Sequence, residues 1–550
     1  MSQHVLRAAV LVALTVPAVA QDIVTLVVEG SAVAGVGNVT TIDGIAINSA
    51  GTSLVEADTD FADTNLDGVL LRDAVLYLRE GDALAAPAGA SIDSFDSTQL
   101  NNAGDSGWNF FLDGTAGTTD DSGFYFNTTL LFQEGAAPAV AGLTPGTPFI
   151  GFFESQTDDA GTSALIASVD DPALATTVDR VLVLVSGTDP GSLAIALVAK
   201  EGDVLPGQTE AVEDFNTGPH DFAYSESGHL MFFADLTGLT TTDGVLFLDG
   251  ALLAQEGSPS PIAGRNWLSL SSAKVDVNGS GGYVYSGSLD GDAATNTVII
   301  QDGAKLVQEG DSLPDIAPFL LTSFGSGPID VDDDGNVLWF GDWDDPDTTR
   351  DTGLFRNDQL IVQENVTQVA GMTVSIVRGV QEGYALSDDG RFAIIEVEFV
   401  GGLQAALRAD FGSGDLTPMV QCTTPLATLT HTGGEAALGE DFTLAMDGGQ
   451  ALGALPVLAL ATQPAGSWPP CGLDVPGIGE ILIDFLPPNP VLVLVAAPFA
   501  GLPSDFLLSV PVQESLIGFD VYVQGLYADP AIASVEPFRL TGGLSINIGL

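Results

Sequence analysis

The stretch Asp330-Val-Asp332-Asp-Asp334-Gly335 has the opening of a calcium loop. Carboxylate oxygens stand at positions one, three and five, and glycine at position six permits the sharp turn. Asp276-Val-Asn278-Gly-Ser280-Gly281 is a looser copy. The glutamate that closes such a loop at position twelve is missing, because residue 341 is Gly. Asp330, Asp332 and Asp334 are therefore the candidate metal ligands, calcium is the candidate ion, and nothing points to another cofactor. The competing reading is a plain hairpin turn, for which Asp, Asn and Gly supply the backbone conformations.

Other chemistry is thinner. His220, His229 and His431 stand in unrelated contexts, none with a second histidine at ligand spacing, so zinc chemistry of the usual kinds is not expected. Gly-x-Ser-x-Gly, Gly-x-Gly-x-x-Gly after a strand and phosphate-cradling loops are missing from the sequence. Carboxylates could act in pairs as acid and base, as in glycosidases, but their abundance singles out no pair. Trp267, Trp339 and Trp343 would serve either as core or as surfaces on which sugars stack. Cys422 and Cys471 are the only cysteines, and a disulfide between them is expected in an exported chain. It would close a loop of about 49 residues, worth roughly 4 kcal/mol if chain entropy governs.

Export is read from the start of the chain. Arg7, the apolar stretch AAVLVALTVPAVA and Ala18-Val19-Ala20 before Gln21 form the pattern of a secretory signal peptide, so residues 1–20 are expected to be removed. The apolar core is too short to span a bilayer, which takes about 20 helical residues. The later candidate ILIDFLPPNPVLVLVAAPFAGL is broken by prolines and an Asp, so no transmembrane segment is expected. The net charge of −59 comes from 73 acidic and 14 basic residues. It excludes nucleic acid, whose phosphates need Lys and Arg to displace counterions. Yet 45% of residues are hydrophobic and the charge is not blocky, which describes a folded acidic protein. Adaptation to salty surroundings and a specific role for cations both account for the charge.

These groups must be positioned by a repeated element. An apolar run ending in Glu-Gly recurs at Glu29-Gly30, Glu80-Gly81, Glu134-Gly135, Glu201-Gly202, Glu256-Gly257 and Glu309-Gly310, with Glu364-Asn365 as a variant. The spacings are about 51 to 55 residues, with one of about 67. Gly and Asn share one property here, tolerance of positive φ, so the pair ends a strand and begins a turn. The sixth unit reads GPIDV, DDDGN, VLWFGDW, TGLFRND and QLIVQEN, four strands with polar turns between them. Four strands at this period make a propeller blade. After Asn365 only three strands remain, while IVTLVVEG near the start is an orphan fourth. The expected architecture is all-β: a seven-bladed β-propeller over residues 21–415, closed by the N-terminal strand so that no sheet edge is left free. Residues 416–550 alternate short strands with Pro and Gly turns, which predicts a β-sandwich-like module.

The Glu-Gly strand ends, the polar-Gly turns and runs such as DGVLFLDG resemble tandem-repeat propellers of exported proteins from aquatic bacteria, a group of unknown function. The resemblance covers roughly residues 23–412 and brings no catalytic residues with it. LIGFDVYVQGLYADP and LTGGLSINIG resemble a C-terminal module common on exported proteins of the same kinds of bacteria.

Acids in the loops between second and third strands, such as Asp58, Asp60 and Asp63, Asp120 and Asp121, or Asp342, Asp344, Asp345 and Asp347, are expected to share a face with the Glu-Gly turns. The expected function is that of a secreted or cell-surface, non-enzymatic binding or scaffold protein, with an extracellular glycan or cell-surface component as partner. The alternative is a carboxylate-based hydrolase or lyase acting on extracellular polysaccharide, and fold alone does not choose between them.

Overall fold

The computed structural model describes residues 22–96, 98–218 and 220–411. Beyond these it describes 416–418, 428–433, 441–447, 455–461, 473–475, 479–481, 491–495, 503–509, 520–528 and 538–547. The expected signal peptide, Cys422 and Cys471 lie outside the described residues. The protein is all-β, and a 3-10 turn at Ala293–Thr295 is the one helical element among the described residues. Two compact units separate, Ile23–Ala409 and the remainder.

In the first unit seven small antiparallel sheets follow one another. In the sixth, Leu321–Ser323 and Ile329–Val331 both pair with Val337–Trp343, followed by Thr352–Arg356 and Gln359–Gln363. The sequence pattern gives the last four of these strands and misses the first, a three-residue strand outside any alternating run. The fourth sheet repeats the order with Val212–Asp214, Phe222–Tyr224, Leu230–Leu236, Gly244–Leu248 and Ala251–Gln255. The fifth does so with Trp267–Ser269, Val275–Val277, Tyr283–Leu289, Thr297–Gln301 and Ala304–Gln308. In the seventh, Met372–Val377 and Tyr384–Leu386 lie on Phe392–Phe399, which is followed by Leu403–Asp410. The place beside Leu403–Asp410 is taken by Asp22–Val28, and Glu29 N donates to Gln404 O at 2.8 Å.

Nearly every strand is apolar on both faces because the cores lie between successive sheets. One core joins Val284, Ile299 and Val307 of the fifth sheet to Ile329, Trp339 and Phe355 of the sixth. Another joins Phe392, Ile394 and Ala406 of the seventh to Val39, Ile45 and Val55 near the chain start. The tryptophans belong to these cores. Trp339 stacks on Phe355 with centroids 4.5 Å apart, and Trp267 and Trp343 are buried, so none of the three is open for sugar stacking.

The Glu-Gly joint explains its own recurrence. Gly30, Gly81, Gly135, Gly202, Gly257 and Gly310 have φ between 73° and 87°, and Asn365 has φ 52°, as the Gly/Asn exchange predicts. Each of these residues donates its N–H forward to one of the first two strands of the following sheet, as Gly310 does to Leu321 O at 2.8 Å and Asn365 to Val374 O at 2.7 Å. The glutamates turn backward. Glu309 accepts from Thr297 N at 2.9 Å, Glu80 from Gly68 N at 2.9 Å and Glu201 from Arg180 N at 2.8 Å, each at the start of its own sheet's next-to-last strand. Glu256 instead reaches the next sheet, accepting from Leu270 N at 2.7 Å. The glutamates of these joints thus serve the backbone. Glu256 and Glu309 are buried, because an extended strand end offers N–H groups that a carboxylate satisfies.

In the second unit, Leu416–Pro418, Phe538–Asn547, Asp520–Ala528, Leu455–Ala461 and Val491–Val495 form one sheet, and Thr428–Gly433, Asp441–Asp447 and Ser504–Ser509 another. Phe442, Leu444, Met446 and Phe506 share one core with Leu458, Val523, Tyr527 and Ile546, so both sheets contribute to it.

Candidate functional site

The strands that begin the fourth to seventh sheets each have a three-residue segment paired on one side only: Phe222–Tyr224, Val275–Val277, Ile329–Val331 and Tyr384–Leu386. An unpaired edge leaves N–H groups that need partners. The preceding sheet supplies them from side chains. Asp276 accepts from Val331 N at 2.7 Å, and Asp330 accepts from Leu386 N at 2.9 Å. Gln156 does the same for Tyr224 N at 2.6 Å, and Gln99 for Thr157 N at 2.9 Å.

Each segment runs into the polar-Gly turn singled out in the sequence. In the sixth sheet Asp332 organises that turn. Its carboxylate accepts from Asp334 N at 3.1 Å, from Asn336 N at 2.7 Å and from Arg356 at 2.9 Å, and it is 0% exposed. Asp330 points away to the seventh sheet, and Asp334 is exposed. The three candidate ligands are therefore dispersed over three tasks. Among the described residues no group of three or more His, Cys, Asp or Glu is arranged to hold a metal ion.

What the turns do gather is their second residues: Ser49, Asn102, Asp159, Glu226, Gly279, Asp333 and Asp388. Ser49 N donates to Asn102 Oδ1 at 3.0 Å, Asn102 N to Asp159 Oδ1 at 2.9 Å and Asp159 N to Glu226 O at 3.2 Å. Gly279 N donates to Asp333 Oδ1 at 3.1 Å, Asp333 N to Asp388 O at 2.7 Å and Asp389 N to Ser49 Oγ at 3.1 Å. Asn102 Nδ2 reaches Asp388 Oδ2 at 2.8 Å. A Cβ at Gly279 would overlap the Glu226 carboxylate, so any larger residue there would turn that flexible side chain aside.

Four acids thus face one another with Asp276 and Asp330 behind them. Burial, then Asp388, Asp333 and Asp159, push Glu226 up to about 7. Burial and the charges of Asp276, Asp159 and Asp333 push Asp388 up to about 7 against its hydrogen bond from Asn102. Burial and Glu226 raise Asp276 to about 7, and burial with Asp276 and Asp388 raises Asp330 well above the carboxylate range. A second gathering involves the first, second and seventh sheets. Burial raises Glu56 and Glu382 to about 7 with Asp43 and Asp96 adding to both, and burial raises Glu396 to about 7 against Arg378. Such carboxyls hold or release a proton near neutral pH, the property a general acid requires.

His220 has φ 61°, sits 4.0 Å from Asp330, and is held down to about 3 by burial and Lys274, so it is neutral and makes no ion pair. Lys274 itself pairs with Asp221 at 2.9 Å. His229 bonds Asp249 at 2.8 Å, and His431 lies in the strand Thr428–Gly433 of the second unit. The loop acids act as caps: Asp344 accepts from Leu320 N at 2.7 Å and Asp60 from Asn38 N at 2.6 Å. Asp159, Glu226, Asp333 and Asp388 escaped the sequence reading because they are scattered along the chain. Superposing the polar-Gly turns of successive units, one position past the turn's first residue, is the signal that finds them.

These features define an all-β protein whose first unit repeats one small sheet, with acids drawn together at the turns. The chain belongs to the family of unknown function DUF7453, whose model matches residues 16–244 and again 188–406. No curated protein matches the chain. Among solved structures, an engineered GH43 glycoside hydrolase displaying endo-xylanase and exo-arabinofuranosidase activity is 10% identical, with 80% of this chain and 92% of that chain covered and a TM-score of 0.18. Escherichia coli alpha-2-macroglobulin activated by porcine elastase is 11% identical, with 93% of this chain and 41% of that chain covered and a TM-score of 0.13. At such scores neither likeness bears on fold or function.

Proposed function

We propose that the first unit is a seven-bladed β-propeller closed by its N-terminal strand, acting outside the cytoplasm as a non-enzymatic binding or scaffold protein, with the second unit as a sandwich-like module for sorting or attachment. Closure is supported by Asp22–Val28 lying beside Leu403–Asp410 and by the core shared between the seventh sheet and the chain start. Two staggered matches of one family model support internal repetition. Export rests on the residue pattern before Gln21.

The observation that carries the non-enzymatic reading is the employment of the acids at and behind the turns. Asp276, Asp330, Asp159, Asp333 and Asp388 each accept a hydrogen bond from a neighbouring sheet, which makes them rivets between blades. Glu226 favours the rival reading, a hydrolase or lyase on extracellular polysaccharide. Its carboxylate accepts no hydrogen bond from a neighbouring sheet among the described residues, and its pKa of about 7 suits an acid catalyst. The test is release of reducing ends or unsaturated products from a panel of polysaccharides between pH 5 and 8. No turnover is expected. Turnover abolished by Glu226→Gln with melting unchanged would establish the rival.

A further inference from the structure

We propose that residues 378–383 of the seventh sheet form a latch over the middle of the first unit, closed in acid and released as the carboxyls around it ionise. This goes beyond the binding or scaffold reading and takes from it only the closed ring.

The latch joins Met372–Val377 to Tyr384–Leu386, and both of its ends are fixed. Arg378 N donates to Glu396 O at 3.2 Å, Ser326 N of the sixth sheet donates to Gly379 O at 2.9 Å, and Glu396 N donates to Gly383 O at 2.8 Å. Between these anchors Val380, Gln381 and Glu382 stand out in a turn closed by Gly383 N on Val380 O at 3.1 Å, with Val380 44% exposed. Glu382 has φ 57°, a conformation that favours Gly, so the turn is held by its surroundings and not by its own preference.

Approaches between sheets that are not neighbours show what the latch covers. A Cβ on Gly218, in the segment before Phe222–Tyr224, would lie 3.3 Å from Gln381 Nε2. In a closed ring of seven the fourth and seventh sheets are three places apart, so this approach spans the middle. The pair Lys274 and Asp221, at 2.9 Å, fixes the fourth sheet's side of it. His220 lies next to that pair and 4.0 Å from Asp330 of the sixth sheet. Burial governs its ring, yet 21% of the side chain is accessible, as for a group that faces an enclosed space.

The charges that act on Glu382 are of one sign. Burial and then Glu56 of Ser53–Thr59, Asp96 of Ser91–Asp96 and Asp43 of Gly37–Ile47 raise it to about 7. Arg378, the base within the latch, is engaged by Glu396 at 3.4 Å and Glu398 at 3.6 Å. Protonated carboxyls tolerate this crowding, whereas ionised ones repel, and the three unanchored residues are the part that yields. Closure raises the affinity of Glu382 for its proton, so closure is favoured in acid and lost as pH rises through about 7.

The test is labelling of the full chain with diethyl pyrocarbonate, which acylates neutral imidazole, read at His220 by peptide mass spectrometry. His220 is held down to about 3 and is neutral at pH 6 and pH 8.5 alike, so its rate, normalised to the neutral fraction of N-acetylhistidine, reads access alone. It should rise about tenfold from pH 6 to pH 8.5, the change in open population for a carboxyl at about 7 when closed and about 4.5 when open. Hydrogen exchange in Phe392–Phe399, corrected for its intrinsic pH dependence, should stay unchanged. Glu382→Gln should lose most of the rise and label slowly at pH 8.5, and Glu56→Gln serves the same purpose if the first variant does not fold. Equal slow labelling at both pH values, a variant that keeps the full rise, or exchange that quickens throughout the seventh sheet overturns the latch. Fast labelling at both pH values overturns the closed ring as well.

Discussion

Acid should stabilise this protein over a range in which most proteins are indifferent or harmed. Glu56, Glu226, Asp276, Glu382, Asp388 and Glu396 are all pushed up to about 7, and Asp235 to about 6. An unfolded chain ionises such groups near 4. Between about pH 4 and pH 7 the native state therefore binds more protons than the unfolded one, and stability falls as pH rises through that window. Asp388 can be isolated by Asp388→Asn, which keeps an acceptor for Asn102. One pKa unit is worth about 1.4 kcal/mol, so about three units set a ceiling near 4 kcal/mol. Partial wetting, and relief shared with Asp276 and Glu226, reduce this to roughly 1–2 kcal/mol. Spread over a unit of this size, that is a rise in Tm of about 1–3 °C. The assay is thermal unfolding of both proteins at pH 5 and pH 8 in high salt, which screens surface repulsion and leaves the enclosed groups. The wild type should melt higher at pH 5, and Asp388→Asn should gain at pH 8 alone. A wild type no more stable at pH 5, or a variant that gains equally at both, would refute the reasoning.

Asn109 is 0% exposed with both amide atoms unpartnered, so Asn109→Leu should stabilise by about 1 kcal/mol in denaturant titration; a loss would reveal a bridging water. Gly30 has φ 87° with nothing near an added Cβ, so Gly30→Ala should cost about 1–2 kcal/mol from backbone conformation alone. Asp332→Ala removes the counter-charge of buried Arg356 and should cost about 3–5 kcal/mol, read in the same titration. Because that carboxylate is committed, calcium chloride and sodium chloride at matched ionic strength should raise the Tm equally.

Backbone demands were legible in the sequence and cross-sheet geometry was not. A positive φ leaves a mark in residue type, so Gly30 through Gly310 and Asn365 announced the joints and their period. The partner of a side chain leaves no such mark. The sequence marks Glu309 only as the end of a strand, because its acceptor role depends on where Thr297 N lies. The Asp330–Asp334 motif read as a calcium loop for the same reason: its letters fit, while the directions of its carboxylates are set by Leu386 and Arg356. Asp388 and Asn102 are 286 positions apart and meet only once several sheets are stacked.

The pairing of Asp22–Val28 with Leu403–Asp410 has a consequence in time. A ribosome finishes the first of these strands long before it begins the second. The earliest part of the first unit to be synthesised must stay without its strand partner until nearly the last part of that unit has been made. Contacts of such sequence separation slow folding, since the chain must close a very long loop before it is rewarded. During that wait an apolar segment, IVTLVV, stays exposed to other chains. The dense negative charge of the rest of the chain then acts as protection, keeping unfinished molecules apart until each has found its own end.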